Sequence, residues 1–508
     1  MQMTAVKLWG FSEFSLRLFP LLCSLASLFV FWRLASRLLT GVAWMAAVGV
    51  FAVGYPGLRY AVEAKPYGCD LFVAVWMFAL LSSWWASGAV GDGARLPGGE
   101  DTRPLSGAGS ARDDSVKDRR QRWLICLIAS VPFAMLLSYP AVFVSGAISL
   151  VLAFVLWRER ARRGWLLWVV YNVVLLVSFL AVYCLTIAPQ SAAELANMSS
   201  QWEHTFPPLT SPWQLICFVV LAHTSELVAY PVGGPRGASL LTAICCGVAL
   251  VVLWRRGHRW LVVLCLAPLA LNFVAAAWQR YPYGGHVRFM LYMGPLVCLL
   301  AGLGMAVLLS RLTHRRVSRQ IPVIGLAVLL AAIPCGSMVR DFLKPYKQLD
   351  YQRTRDFARW FWFTKALDGE LVCVKTDLGK GFAPGTFEQG TSSLYLCNQR
   401  IYSRRHAQGE KPCWDHITRD RPLRCVLFRS PNFAFDEEAF DAWLEGLERD
   451  YAMVTFAWYS LPLHDHHTGQ VWYSDRVEMY EFIPRSAADA RFLAEPNPYR
   501  RVRALETR

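Results

Sequence analysis

The chain has 508 residues, of which 55% are hydrophobic and only 18% charged, and its 52 Lys and Arg against 37 Asp and Glu give a net charge of +15. A soluble domain carries about 25% charged residues, so this composition excludes an ordinary water-soluble enzyme and points to a chain that crosses a membrane several times. The basic excess does not indicate a nucleic-acid binder, because the Lys and Arg sit in short blocks between apolar runs, the distribution that the positive-inside rule produces.

Lys7 and Arg17 precede the first apolar run, 14–32, but no small-x-small cleavage site follows and the run is long enough to span, so it reads as a retained helix. Further runs follow at 42–56, 69–86, 123–138, 141–157, 165–187, 237–254, 260–277, 289–309 and 320–339, predicting about ten membrane segments. When these alternate, the basic blocks at Arg33 and Arg37, 112–122, 158–163, 255–259 and 311–319 all face the cytoplasm. The loops 54–68, 188–236 and 278–288 face the other way and are poorer in Lys and Arg.

That parity has consequences. Residues 123–157 as one helix would measure about 52 Å against a hydrocarbon core of about 30 Å, so the chain must turn near Ser138-Tyr139-Pro140. Pro212 to Tyr230 must lie along the outer surface. Residues 87–122, rich in Gly, Arg, Asp and Ser, read as a flexible cytoplasmic linker. The N-terminus is placed outside with no span ahead of it.

From about 341 onward the composition changes. Apolar runs at Leu371 to Lys375, Arg424 to Phe428 and Met453 to Trp458 alternate with a helical pattern at Asp436 to Arg449. The expected organisation is a membrane domain over 1–340 and an extracytoplasmic α/β domain over 341–508. Of 14 cysteines, Cys126, Cys184, Cys217, Cys245, Cys246, Cys265 and Cys298 fall in apolar runs and read as packing residues. Cys373, Cys397, Cys413 and Cys425 lie in the outer part, where disulfides form, and four cysteines allow three pairings. His464-Asp465-His466-His467 are adjacent loop residues that do not converge tetrahedrally on one ion, so no metal site is expected there. Asn197-Met198-Ser199 fits the glycosylation tripeptide on the outer side.

Two phrases put charge and aromatic rings at the membrane surface: Arg59-Tyr60-Ala-Val-Glu63-Ala-Lys65-Pro66-Tyr67, and, about 220 residues later, Tyr281-Pro-Tyr283-Gly-Gly-His286-Val-Arg288. Read alone, Glu63 with Lys65 is a surface ion pair worth about 0 to 1 kcal/mol, and Arg288 is an anchor at a helix end. Together with Leu8-Trp9-Gly10-Phe11-Ser12-Glu13 and Arg17, Phe206-Pro207-Pro208 and Gly294-Pro295, their order resembles the GT-C integral-membrane glycosyltransferases, in the protein mannosyltransferase and aminoarabinose transferase group. The resemblance covers about residues 8–340.

What it implies is a polytopic α-helical bundle that transfers a sugar from a polyprenyl-phosphate donor to a hydroxyl acceptor at the outer face of the plasma membrane. Membrane lipids are then partners, and divalent-metal dependence stays open. Such transfer needs a carboxylate for the acceptor proton and cations for the leaving phosphate. Glu63 is the candidate catalytic residue, and Arg59, Lys65, Arg280, His286 and Arg288 are the candidate phosphate ligands. Tyr60, Tyr67, Tyr139, Tyr281 and Tyr283 are candidates for packing on sugar or lipid. Two departures stand out: no position here matches the acidic loop after the family's first helix, and Lys65 replaces an Arg before Pro-Tyr, a point charge instead of a fork. A late start would explain both the absent loop and the outside N-terminus, and the chain as written is then inactive. The competing functions are a lipid or solute transporter or flippase, disfavoured by the scarcity of ionisable residues within the runs, and an inactive relative that binds carrier lipid.

Overall fold

A computed structural model describes residues 2–9, 13–61, 63–88, 111–160, 162–188, 202–234, 236–313, 320–343, 371–375, 421–429, 437–464, 471–494 and 497–506. The contacts divide the chain into two compact units, one reaching Val339 and a second from Arg340 onward.

The apolar runs of the first unit form helices, since a helix satisfies its backbone polar groups within the segment when water is absent. In chain order these are α1 (Gln2–Trp9), α2 (Glu13–Leu38), α3 (Gly41–Ala52), α4 (Tyr55–Ala61), α5 (Tyr67–Gly88), α6 (Ala111–Leu137), α7 (Ala141–Glu159), α8 (Arg162–Val182), α9 (Pro212–Thr224), α10 (Leu240–Arg255), α11 (Arg259–Ala277), α12 (Gly294–Thr313) and α13 (Gln320–Leu343). Among the described residues, nine helical stretches are long and apolar enough to cross a membrane. The protein is a multi-pass α-helical membrane protein. α10, with 16 residues, reaches only about 24 Å, and α9, with 13, about 20 Å, so α9 falls well short of a hydrocarbon core.

The chain turns at Ser138–Pro140 between α6 and α7, where the length argument puts it. Two stretches differ from the sequence reading. The run at 42–56 breaks after Ala52 and resumes as α4, because Pro56 removes a donor and its ring crowds the carbonyl four residues back. The freed backbone is satisfied elsewhere, with Tyr55 N–H donating to Pro231 O at 2.7 Å. Residues 111–122 are helical and not linker, while 89–110 lie outside the described residues. Arg120 fixes that extension, pairing with Glu159 at 2.7 Å and lying over the Trp84 ring at 4.3 Å.

The helices touch through small residues. A Cβ on Gly302 of α12 would stand 2.5 to 2.6 Å from the backbone and Cβ of Ala47 on α3, and one on Gly304 would enter the Cys245 backbone of α10. α7 and α8 are joined by polar bonds: Tyr171 Oη donates to Ser145 O at 3.0 Å, Trp168 Nε1 to Ser149 O at 3.0 Å, and Ser149 Oγ to Asn172 Oδ1 at 2.8 Å. Such bonds average about 0.6 kcal/mol in a membrane protein.

The second unit holds a four-stranded mixed sheet of β1 (Leu371–Lys375), β2 (Leu423–Arg429), β3 (Tyr451–His464) and β4 (Val471–Pro484) in the order β1-β2-β4-β3. β1 and β2 are parallel and the other neighbours antiparallel. α14 (Glu437–Glu448) lays Phe440, Trp443, Leu444 and Leu447, one helical stripe, against Leu423, Met453, Tyr480 and Phe482. The unit is therefore α/β, as expected. Cys373 and Cys425 stand level on neighbouring strands. Cys397, Cys413, Asp465 to His467 and Asn197 to Ser199 lie outside the described residues.

Candidate functional site

α4 ends in Arg59 and Tyr60, the chain bends through Glu63–Pro66, and α5 opens at Tyr67 with Asp70 N–H donating to Pro66 O at 2.9 Å. Arg59 lies over the rings of Tyr55 and Tyr60 at 5.8 and 5.4 Å, and Lys65 stands over Tyr67 at 6.0 Å. Buried Tyr60 meets Tyr67 edge-on at 5.1 Å.

The second phrase arrives from the end of α11. Gly284 and Gly285 take φ of 69° and 68°, and a side chain on Gly285 would overlap Thr205, so glycine alone lets this loop lie against the 203–205 turn. Tyr283 N–H donates to Thr205 O at 3.0 Å, which brings the Phe206-Pro207-Pro208 phrase alongside. His286 then caps the 3-10 helix Val287–Met293, its Nδ1 accepting from Arg288 N–H at 3.3 Å and facing the Tyr60 hydroxyl at 3.4 Å. An acceptor Nδ1 is an unprotonated one.

Electrostatics agree with that tautomer. Burial first, then the charges of Arg288, Arg59 and Lys65, push the His286 pKa down to about 4. His286 is thus neutral at pH 7 and organises the loop without adding charge for a phosphate. Arg288 lies against an edge-to-face pair of rings, with its guanidinium carbon 4.6 Å from the Trp202 centroid and 4.9 Å from that of Phe289, and its buried Nε has no hydrogen-bond partner. A buried charged donor without an acceptor is costly, and a guanidinium held against aromatic rings keeps its planar fork of donors for an oxyanion.

One carboxylate in the group lies outside both phrases. Glu226, in the 3-10 turn Glu226–Val228, accepts from Val287 N–H at 3.2 Å. Burial raises its carboxyl, against the opposing pull of the Val287 N–H and Arg59.

The structure therefore gathers Arg59, Lys65, His286, Arg288, Tyr60 and Tyr67 and adds Glu226 and Trp202, which the sequence reading did not assign to the site. Glu63 is half-buried in the bend between Arg59 and Lys65. Three residues stand apart. Arg280 is exposed and its charge acts on Tyr139. Tyr283 is buried against Phe273, with its hydroxyl 3.2 Å from His223 Nε2. Tyr281 stacks on Tyr139 at 6.0 Å and donates its hydroxyl to Phe289 O at 3.1 Å. Tyr67 and Tyr139 keep exposed ring surface. Among the described residues no three His, Cys, Asp or Glu side chains are grouped to hold a metal. An apolar cavity of about 30 Å³, lined by Leu34, Leu38, Phe78, Trp260 and Leu300, lies at the opposite, basic ends of the helices.

No protein-family model matches the chain, and no curated protein does. Among solved structures, the crystal structure of ArnT from Cupriavidus metallidurans bound to undecaprenyl phosphate is similar at 13% identity and a TM-score of 0.45, over 94% of this chain and 86% of that one. The apo state of the same protein is similar at 14% identity, with the same TM-score and coverage.

Proposed function

We propose that this chain transfers a sugar from a polyprenyl-phosphate donor to a hydroxyl acceptor at the non-cytoplasmic rim of its helical bundle. The observation that carries this reading is Arg288, packed against the Trp202 and Phe289 rings with an unmet Nε–H, beside Arg59 and Lys65 around a neutral His286. Those three cations suit the phosphate that leaves. As the acceptor oxygen bonds to the anomeric carbon, the bond from that carbon to the phosphate oxygen breaks, and negative charge builds on the phosphate beside them.

The acceptor proton passes to a carboxylate. Glu63 is the assigned base, and Glu226 is the second carboxylate, with its proton affinity raised by burial. The partly exposed rings of Tyr67 and Tyr139 offer apolar surface to sugar or isoprenoid. The distribution of basic blocks supports an orientation with this rim on the extracytoplasmic side of the plasma membrane.

The test follows a radiolabelled lipid-linked sugar into product, using protein in vesicles, both as written and extended by any in-frame upstream sequence. Arg288→Ala and Glu63→Gln are expected to abolish transfer at unchanged expression. Retained transfer in both would remove these residues from the mechanism.

A further inference from the structure

Four buried polar side chains outside the proposed machinery come from elements that pack on one another, and the Asp70 charge acts on Tyr292. Asp70, in the first turn of α5, is 5% exposed, Ser138 at the α6–α7 corner 2%, and Asn272 of α11 and Tyr292 of the 287–293 turn 0%. The Ser138 hydroxyl faces the Asp70 carboxyl and the Asn272 amide faces the Tyr292 hydroxyl. Each pair interacts side chain to side chain, yet Asp70 Oδ1, Ser138 Oγ, Asn272 Oδ1 and Tyr292 Oη are all buried without a hydrogen bond of normal geometry. Asn272 Nδ2 donates to Met290 Sδ at 3.2 Å, so its carbonyl oxygen is the atom left to satisfy. The groups acting on Asp70 include no Lys or Arg among the described residues. A carboxylate withdrawn from water without a counter-charge is among the costliest groups to bury.

We propose that Asp70, Ser138, Asn272 and Tyr292 form a binding site for one alkali-metal cation. The donors are all oxygens, which suit hard cations and not zinc or copper. One carboxylate supplies one negative charge, so a monovalent ion leaves the buried site neutral, whereas a divalent ion leaves an uncompensated positive charge there. Water alone would satisfy the hydroxyls and leave the carboxylate charge unbalanced. The site does not depend on the sugar-transfer reading.

The test is thermal unfolding of the full chain in detergent, followed by tryptophan fluorescence, in sodium or potassium chloride against choline chloride at fixed ionic strength. The wild-type Tm is expected to rise saturably with sodium or potassium, because an ion that binds only the folded state stabilises it. Asp70→Asn is expected to abolish that dependence and to unfold no lower than wild type in choline. Ser138→Ala is expected to raise the half-saturating cation concentration about tenfold, which keeps the site testable if Asp70→Asn does not fold. A wild-type Tm equal in all three salts overturns the proposal. So does a Tm that climbs only as pH falls, which would give Asp70 a proton in place of a metal ion.

Discussion

Protonating His286 adds a fourth positive charge to a half-buried patch that already holds Arg59, Lys65 and Arg288. Its pKa lies at about 4 in the folded chain against 6.5 for the free side chain, so between those values the unfolded state binds more protons than the folded one. Stability contributed by this residue is complete above pH 6.5 and falls as pH drops toward 4. Unfolding temperatures at pH 7 and pH 5 check this: wild type is expected to lose more between them than His286→Gln. For Arg288, the planar fork matters as well as the charge. Arg288→Lys is expected to weaken polyprenyl-phosphate binding about tenfold, about 1.4 kcal/mol, while Arg288→Ala weakens it further. Equal binding by the wild type and the Arg288→Lys variant would show that charge alone is read. Most of this cluster was legible in the sequence because each phrase is contiguous. Glu226 was not, since it meets Val287 across 61 positions with no local motif to mark it, and Trp202 stands still farther along the chain from the Arg288 it covers.

At the scale of elements, the close seams rest on glycine. Gly302→Ala must push α12 away from the Ala47 backbone, which cannot swing aside as a side chain can. A loss of about 1 to 3 kcal/mol is expected. Gly325→Ala, in α13 with nothing within 4 Å of the added carbon, is the control and is expected to be neutral or to stabilise by up to about 1 kcal/mol. Detergent-unfolding midpoints of the two variants check both signs. Helix existence was readable from length and apolarity, but the break after Ala52 was not, because hydropathy does not register a missing donor. β4 was also missed: Asp475, Arg476, Glu478 and Glu481 interrupt its apolar run, although Glu478 is buried and pairs with Arg476 at 2.9 Å. A buried ion pair looks like surface until its partner is placed.

For the whole molecule, the alternation of basic blocks makes a labelling prediction. An impermeant maleimide is expected to reach Lys65→Cys in sealed, right-side-out vesicles and to reach Arg256→Cys only after permeabilisation, each scored against the unsubstituted chain. Both positions are exposed, so access is decided by side and not by burial. Reaction of both from one side would overturn the orientation and the rim site with it. Capture of an anionic headgroup would also change the molecule's proton count. His286 is discharged by its half-buried setting and three neighbouring cations, and an arriving anion offsets their repulsion. The imidazole's pKa then rises from about 4 toward its ordinary 6.5, so between those pH values it takes up part of a proton as the headgroup settles. Ligand and proton uptake become one coupled event, tighter in mild acid, with a calorimetric heat that depends on which buffer gave up the proton.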